Sequence, residues 1–266
     1  MIRLKSAEQI HLMEASGKVT GAILHDLADF VKPGVSTADI DGFVETRIRE
    51  QGMEPTFKGY GGFPASACVS VDEELVHGIP DPDRILCEGQ IVSVDIGATY
   101  QGWVSDAART YFVGEAPEEA KRLVAACRES FFKGLVYCRK GNRLSDIGHA
   151  IQAHVENAGF SVVRDYVGHG IGHEMHESPQ IKNYGEAGHG PELLPGMALA
   201  IEPMINEGTM DVHVLNNGWT VVTNDGKRAA HYENTVIITD GDPLIITLDE
   251  RDTVDSAKSE ISGILE

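Results

Sequence analysis

Basic residues are scarce in this chain. Its 22 lysines and arginines face 41 aspartates and glutamates over 266 residues, a net charge of −19. A surface of that sign repels phosphate backbones and anionic lipid, which excludes general nucleic-acid binding and membrane-surface binding. Cysteine is equally sparse. Four cysteines, Cys68, Cys87, Cys127 and Cys138, form no C-x-x-C pair, which excludes a disulfide scaffold. Free thiols are expected instead: Cys68 lining a pocket, and Cys87, Cys127 and Cys138 buried. No apolar run approaches the ~18 residues of a membrane span. Residues 1–18 carry charges throughout and hold no apolar core, so they do not read as a signal peptide. A cytoplasmic protein is expected. What is present, 42% hydrophobic and 24% charged residues, is ordinary for a folded globular chain and excludes global disorder.

The chain repeats itself. The segment Gly34-Val-Ser-Thr-Ala-Asp39-Ile40, continuing to Gly52, matches Gly141-Asn-Arg-Leu-Ser-Asp146-Ile147, continuing to Gly159, at a separation of 107 residues. Downstream, Gly89-Gln-Ile-Val-Ser-Val-Asp95 matches Gly196-Met-Ala-Leu-Ala-Ile-Glu202 at the same 107. Two segments sharing one offset indicate two homologous halves, about 1–114 and 115–248. The period is too long for a solenoid and points to a pseudo-two-fold domain. Each half reads as helix–helix–strand–strand. Apolar spacing predicts helices over residues 6–30 and 36–49, with counterparts over 117–137 and 145–157. Short β-branched runs predict strands over 91–96, 109–113, 197–201 and 235–239. Residues 59–64, rich in glycine, predict a loop. Residues 249–266 read as an acidic C-terminal tail.

Carboxylates interrupt the apolar runs. Asp95 follows Ile-Val-Ser-Val and Glu202 follows Ala-Leu-Ala-Ile, at equivalent places in the two halves. A buried carboxylate is costly unless paired or bound to a cation, and recurrence in both halves points to a shared central site. Asp106 lies just before residues 107–113 and Glu233 opens 234–239; a 20-residue insertion brings the second pair into line with the 107 offset. A structural ion-pair network is disfavoured, because Arg109 is the main basic candidate nearby and one arginine cannot balance four acids. Two divalent cations would cancel the four charges, and such a pair about 3.5–4 Å apart can activate a bridging water. A neutral imidazole would complete the set. His169, in Tyr166-Val-Gly-His-Gly-Ile-Gly-His, is the best candidate, with His173 and His176 following. The single-zinc H-E-x-x-H pattern is absent, since His173-Glu174-Met175-His176 is one residue short.

These residues resemble a known family. Phe63-Pro-Ala-Ser-Ala-Cys68-Val-Ser-Val71 with His77-Gly-Ile-Pro80, the segment from Tyr166 to Glu177, Met197-Ala-Leu-Ala-Ile-Glu202-Pro203 and His231-Tyr-Glu233-Asn-Thr235 are together similar to methionine aminopeptidase of the bacterial type. The likeness runs from about residue 2 to 248, and its motifs are jointly specific. It implies the pita-bread fold: an α/β (α+β) pseudo-two-fold repeat whose curved antiparallel sheet surrounds a dimetal site, with helices outside, as a single catalytic domain over 1–248. It implies five ligands, with Asp95 on one metal, His169 and Glu202 on the other, and Asp106 and Glu233 bridging. The nitrogen and oxygen donors fit manganese, iron, cobalt or zinc without choosing among them.

The activity so implied is removal of the N-terminal methionine from nascent polypeptides, with a small second residue preferred, by attack of a metal-bridging water. Glu202 would shuttle the proton, His176 would hydrogen-bond the oxyanion, and His77 would contact the substrate backbone and help the leaving amine. Tyr60, Phe63, Cys68, Met175 and Trp219 would form the methionine pocket. A transient ribosome contact and a monomeric state go with this reading. The rivals are a proline-specific aminopeptidase or prolidase on the same ligand set, and a non-catalytic pita-bread binding module. His11, His25, His149, His154, His189, His213 and His231 are assigned surface or packing roles by default.

Overall fold

A computed structural model describes residues 1–252. Helix α1 (Ala7–Phe30) starts at Ser6, whose hydroxyl accepts the Gln9 N–H while the Gln9 side chain accepts the Ser6 N–H. That reciprocal pair satisfies two of the donors a helix start leaves open. Helix α2 (Thr37–Glu50) follows. Then come β1 (Glu54–Pro55), β2 (Ala67–Val71), β3 (Glu74–Val76) and a ten-residue hairpin pair, β4 (Ile91–Tyr100) and β5 (Trp103–Phe112). The second half opens with α3 (Glu118–Leu135) and α4 (Leu144–Asn157). Its strands are β6 (Ser161–Val162), β7 (Gly168–Gly170), β8 (Glu177–Ile181), β9 (Ala198–Ile201) and β10 (Met204–Asn206). They continue as β11 (Val212–Val214), β12 (Val221–Thr223), β13 (Ala229–His231) and β14 (Asn234–Ile237). All the strand pairings are antiparallel.

The repeat is physical. Pro55 pairs with Ala98 and Glu54 with Thr99; 107 residues on, Val162 pairs with Ile205 and Ser161 with Asn206. The Asp39 carboxylate accepts the Ser36 N–H at 2.9 Å, and the Asp146 carboxylate accepts the Arg143 N–H at 2.7 Å. Gly34 and Gly141 end the connections before α2 and α4 at φ of 93° and 92°, a left-handed backbone that favours glycine. Their N–H groups donate to Leu86 and Leu193, again equivalent positions. The insertion is the β11–β12 hairpin, which has no counterpart in the first half and carries Trp219 just before β12.

Strand alternation decides what faces where. In β4, Val92, Val94 and Ile96 pack under α1 and α2 with Leu27, Ile40 and Val44. Ser93, Asp95 and Gly97 therefore point the other way. In β9, Leu199 and Ile201 pack under α3 and α4 with Phe131 and Ile147, while Ala198 and Ala200 turn inward. Each fully buried aliphatic or aromatic side chain contributes about 1.5–3 kcal/mol over its exposed state. Helices thus cover the outer faces of both halves, and the inner faces meet. Among the hydrogen bonds that join the halves there, the Asp106 N–H donates to Thr235 Oγ1 at 3.0 Å, and that hydroxyl donates to the Asp106 carbonyl at 2.9 Å.

Several expectations shift. Asp106 lies inside β5 rather than ahead of it, whereas Glu202 directly follows β9 as expected, since Pro203 cannot continue the ladder. The four cysteines are free, but Cys87 is exposed, because it lies in the turn before β4 and not under a helix. Of the acidic tail, Glu250–Asp252 form one helical turn, and Asp252 meets the His25 ring at 2.8 Å. Residues 253–266 lie outside the described residues.

Candidate metal centre

Register places the first two acids. Asp95 lies opposite Ala108 and Asp106 opposite Gly97, so both carboxylates leave the same face of the β4–β5 hairpin as diagonal neighbours. Glu202 has the parity of Ala198 and Ala200 and shares their inward face. Glu233 is docked beside β5 by paired backbone bonds with Ala108, at 3.0 and 3.4 Å. His169 sits opposite Ala200 in the β7–β9 pairing. The Nδ1–H of His169 is directed at the Gly170 carbonyl, 2.9 Å away. That bond leaves the Nε2 lone pair turned toward Asp106 Oδ2 at 3.7 Å and Glu202 Oε1 at 3.5 Å. All five expected ligands therefore converge.

Among the described residues the cluster has no cation paired with it. Arg109, next to the cluster, bonds carbonyls instead: its guanidinium donates to the Ala108 and Glu233 backbone oxygens and to Asn234 Oδ1, at 2.8, 2.6 and 2.8 Å. Among the described residues no lysine or arginine forms an ion pair with the four carboxylates. Burial, and then the charge of neighbouring carboxylates, pushes Asp95, Glu202 and Glu233 well above the usual carboxylate range. Burial likewise pushes Asp106 up to about 7. Asp95 Oδ1, Asp106 Oδ1, Glu233 Oε1 and His231 Nε2 are buried without a hydrogen-bond partner. Leaving each such group unsatisfied costs about 1–3 kcal/mol. Orphaned carboxylate oxygens around a neutral imidazole are a donor set for divalent metal, and the residues fit it. Ligand atoms of Asp106, His169 and Glu233 lie within 4.8 Å of one another, as do those of Asp95, His231 and Glu233.

The acids form one end of a cavity of about 370 Å³. Cys68 lies opposite Asp95 across β2 and β4, which sets the apolar end directly beside the carboxylates. Phe63 and Trp219 meet edge to face at 5.2 Å, and Met175 packs with them. The Asp41 carboxylate, from α2, accepts the Ser66 and Ala67 N–H groups at 2.7 and 2.9 Å and so holds the loop behind this wall. His77 stands at φ 59°, a left-handed backbone rare for a residue with a side chain. The strain turns its ring into the cavity, edge-on to Tyr166 at 5.8 Å and Trp219 at 6.5 Å. His176 and Tyr60 also reach the cavity, and the Tyr60 hydroxyl lies 2.8 Å from His176 Nδ1. Burial holds the imidazoles of His77 and His176 below their ordinary pKa.

The turn bearing Met175 and His176 is braced from behind. Glu177 Oε1 accepts the His173 and Glu174 N–H groups at 3.0 and 3.3 Å, and Glu177 Oε2 pairs with the buried Lys5 ammonium at 2.8 Å. His173 itself is exposed beside Trp103 and takes no part in the cavity. His231, given a surface or packing role by default, is not at the surface. It is buried inside the centre, with Nε2 at 3.7 Å from Glu233 Oε2. The signal was the period of two: Ala230 and Tyr232 pack under α3, so His231 shares the inward face with Glu233.

Comparison with known proteins agrees with this geometry. The model of metallopeptidase family M24 matches residues 11–240. A methionine aminopeptidase of Clostridium acetobutylicum is 54% identical over 250 residues, covering 94% of this chain and 100% of the relative. Methionine aminopeptidase 1 of Bacillus subtilis is 50% identical, covering 90% of this chain and 96% of its own. The crystal structure of methionine aminopeptidase from Thermotoga maritima superposes with a TM-score of 0.92 at 47% identity, covering 94% of this chain and 100% of that one. Sequence, fold and the inward-facing donors thus lead to one assignment: the chain belongs to metallopeptidase family M24.

Proposed function

We propose that this protein removes the N-terminal methionine from new polypeptides, with a small second residue preferred, using two divalent ions of manganese, iron, cobalt or zinc. The observation that carries the reading is the adjacency of the carboxylate cluster and an apolar slot lined by Phe63, Cys68, Met175 and Trp219. A thioether side chain suits such a slot, because sulfur and aromatic surfaces attract. The names of the relatives support it. Residues 1–248 form the catalytic domain in this reading, and the protein acts in the cytoplasm as a monomer, on nascent chains and in transient contact with the ribosome. No helix among the described residues is long and apolar enough to cross a membrane.

The ligands are Asp95, Asp106, His169, Glu202 and Glu233. When bound, the metal pair would acidify a shared water and polarise the scissile carbonyl. The chain does the rest. The apolar slot orients the first side chain, so the free amine and first peptide bond lie beside the carboxylates. Glu202 accepts the proton from the attacking water and passes it to the departing amine. The Tyr60 O–H donates a hydrogen bond to the His176 Nδ1 lone pair in this reading, which keeps the ring proton on Nε2. That N–H donates to the oxyanion as charge develops there. His77 holds the substrate backbone and assists the leaving amine.

Stripping the metal, restoring manganese or cobalt, and offering Met-Ala-Ser beside Ala-Pro-Ala tests the reading. Metal-dependent release of methionine with the proline peptide untouched is expected. Cleavage of the proline peptide alone would transfer the assignment to a proline-specific peptidase, and cleavage of neither would favour a binding module.

A further inference from the structure

His231 lies outside the ligand set implied by family resemblance, yet its environment matches that of a ligand. The side chain is 2% exposed, and Nε2 has no hydrogen-bond partner. It faces Glu233 Oε2 at 3.7 Å and Glu202 Oε2 at 4.0 Å. Both distances exceed a hydrogen bond. They match the spacing of His169, whose Nε2 faces Asp106 and Glu202 at 3.7 and 3.5 Å. Donors about 2.0–2.2 Å from a common ion stand roughly 3–4.3 Å apart, depending on the angle between them. Both imidazoles fall in that range. They also fall in two different donor groups that share Glu233: His231 groups with Asp95 and Glu233, and His169 with Asp106 and Glu233.

The backbone explains how His231 is held there. Its N–H donates to Thr110 Oγ1 at 3.1 Å, and its carbonyl accepts from the same hydroxyl at 2.9 Å. Those bonds fix the β13 end against β5, and strand parity then commits the ring to the inner face. A packing histidine would have a partner or an apolar shell, whereas this ring nitrogen is aimed at carboxylate oxygens.

We propose that His231 is a further nitrogen donor of the metal centre, serving the ion that Asp95 and Glu233 hold, so that each ion takes one imidazole. The inference rests on the two-ion reading above. Its consequence is selectivity among metals. Carboxylate sites suit manganese and magnesium, and imidazole favours iron, cobalt and zinc. A second imidazole tilts this centre toward the latter group.

X-ray absorption on the fully zinc-loaded or cobalt-loaded protein counts imidazoles directly, from their outer-shell scattering. One imidazole per ion is expected in the unaltered protein, falling to one per two ions in His231→Gln. Chelator competition on the metal-free protein gives the second readout. His231→Gln should weaken zinc by about 10–100-fold, the range seen when groups supporting a metal are removed, and weaken manganese much less. One imidazole per two ions in the unaltered protein overturns the proposal while leaving the dimetal reading intact. Equal loss of zinc and manganese with an unchanged imidazole count also overturns it, and makes His231 an N–H donor to the carboxylates. Failure of the unaltered protein to bind either ion removes the dimetal reading and this inference together. The X-ray count on the unaltered protein does not depend on the variant folding.

Discussion

Tyr60 is 41% exposed, yet its hydroxyl lies 2.8 Å from His176 Nδ1, and in the proposed mechanism that bond sets which nitrogen of His176 carries the proton. Tyr60→Phe removes one hydrogen bond worth about 0.5–1.5 kcal/mol. With the tautomer freed, kcat should fall roughly 2–10-fold while KM holds, since the slot is intact. Nitrogen NMR of His176 checks the cause: the variant should show both neutral tautomers where the unaltered protein shows one. His77 is different in kind, because it touches no carboxylate of the cluster. His77→Ala should lower turnover by about 10²–10⁴ with metal content, read by atomic emission, unchanged. A collapse of metal content would reassign His77 to the ligands. The pair also shows what a single residue's letter conceals. His77 was legible because a motif contained it, whereas the Tyr60–His176 bond joins positions 116 residues apart and has no local signal.

At the scale of elements, the repeat was readable and its purpose only partly so. Identical spacing of Gly34, Asp39 and Gly89 against Gly141, Asp146 and Gly196 foretold the helices, their starts and the equivalence of Asp95 and Glu202. Those features are local, governed by caps and by positive φ. The fate of the 20-residue insertion was not local: family resemblance put Trp219 with Phe63 in one pocket, but only packing shows that the β11–β12 hairpin folds back to bring the two rings edge to face. Trp219→Ala should therefore flatten the preference among first residues, read from kcat/KM over a panel of peptides, with unchanged selectivity removing Trp219 from the slot. The inward direction of His231 follows from strand parity with Glu233, which its motif does not display. Helix α1 offers a stability test. A methyl at Gly17 would lie 2.3 Å from the Ile246 carbonyl oxygen and one at Gly21 2.8 Å from that of Thr247. Gly17→Ala should cost about 1–3 kcal/mol, as overpacking does, seen as a lower urea midpoint with the same slope.

The whole molecule carries its acidity in two ways, as a surface charge and as a concentrated core of carboxylates. The second governs its response to pH. In the metal-free protein the cluster binds protons more tightly folded than unfolded, with Asp106 moved from 3.8 to about 7 and its neighbours raised too. A raised carboxylate pKa destabilises the fold as the group ionises, so the cluster's contribution to stability declines as pH rises through 3.8 and toward 7. Metal replaces those protons. Metal-free protein should lose stability over that window relative to the loaded form, as measured by parallel urea titrations, and metal binding at pH 6 should release protons in calorimetry across buffers. Parallel pH profiles for the two forms would rule this out. The hairpin that breaks the symmetry has a separate consequence. The acids sit on or directly beside strands of both halves, while Trp219 arrives on a hairpin without a counterpart in the first half. Ancestry can therefore revise what is accepted without disturbing what reacts, and descendants of such a duplicated scaffold are free to diverge in diet while inheriting the same chemistry.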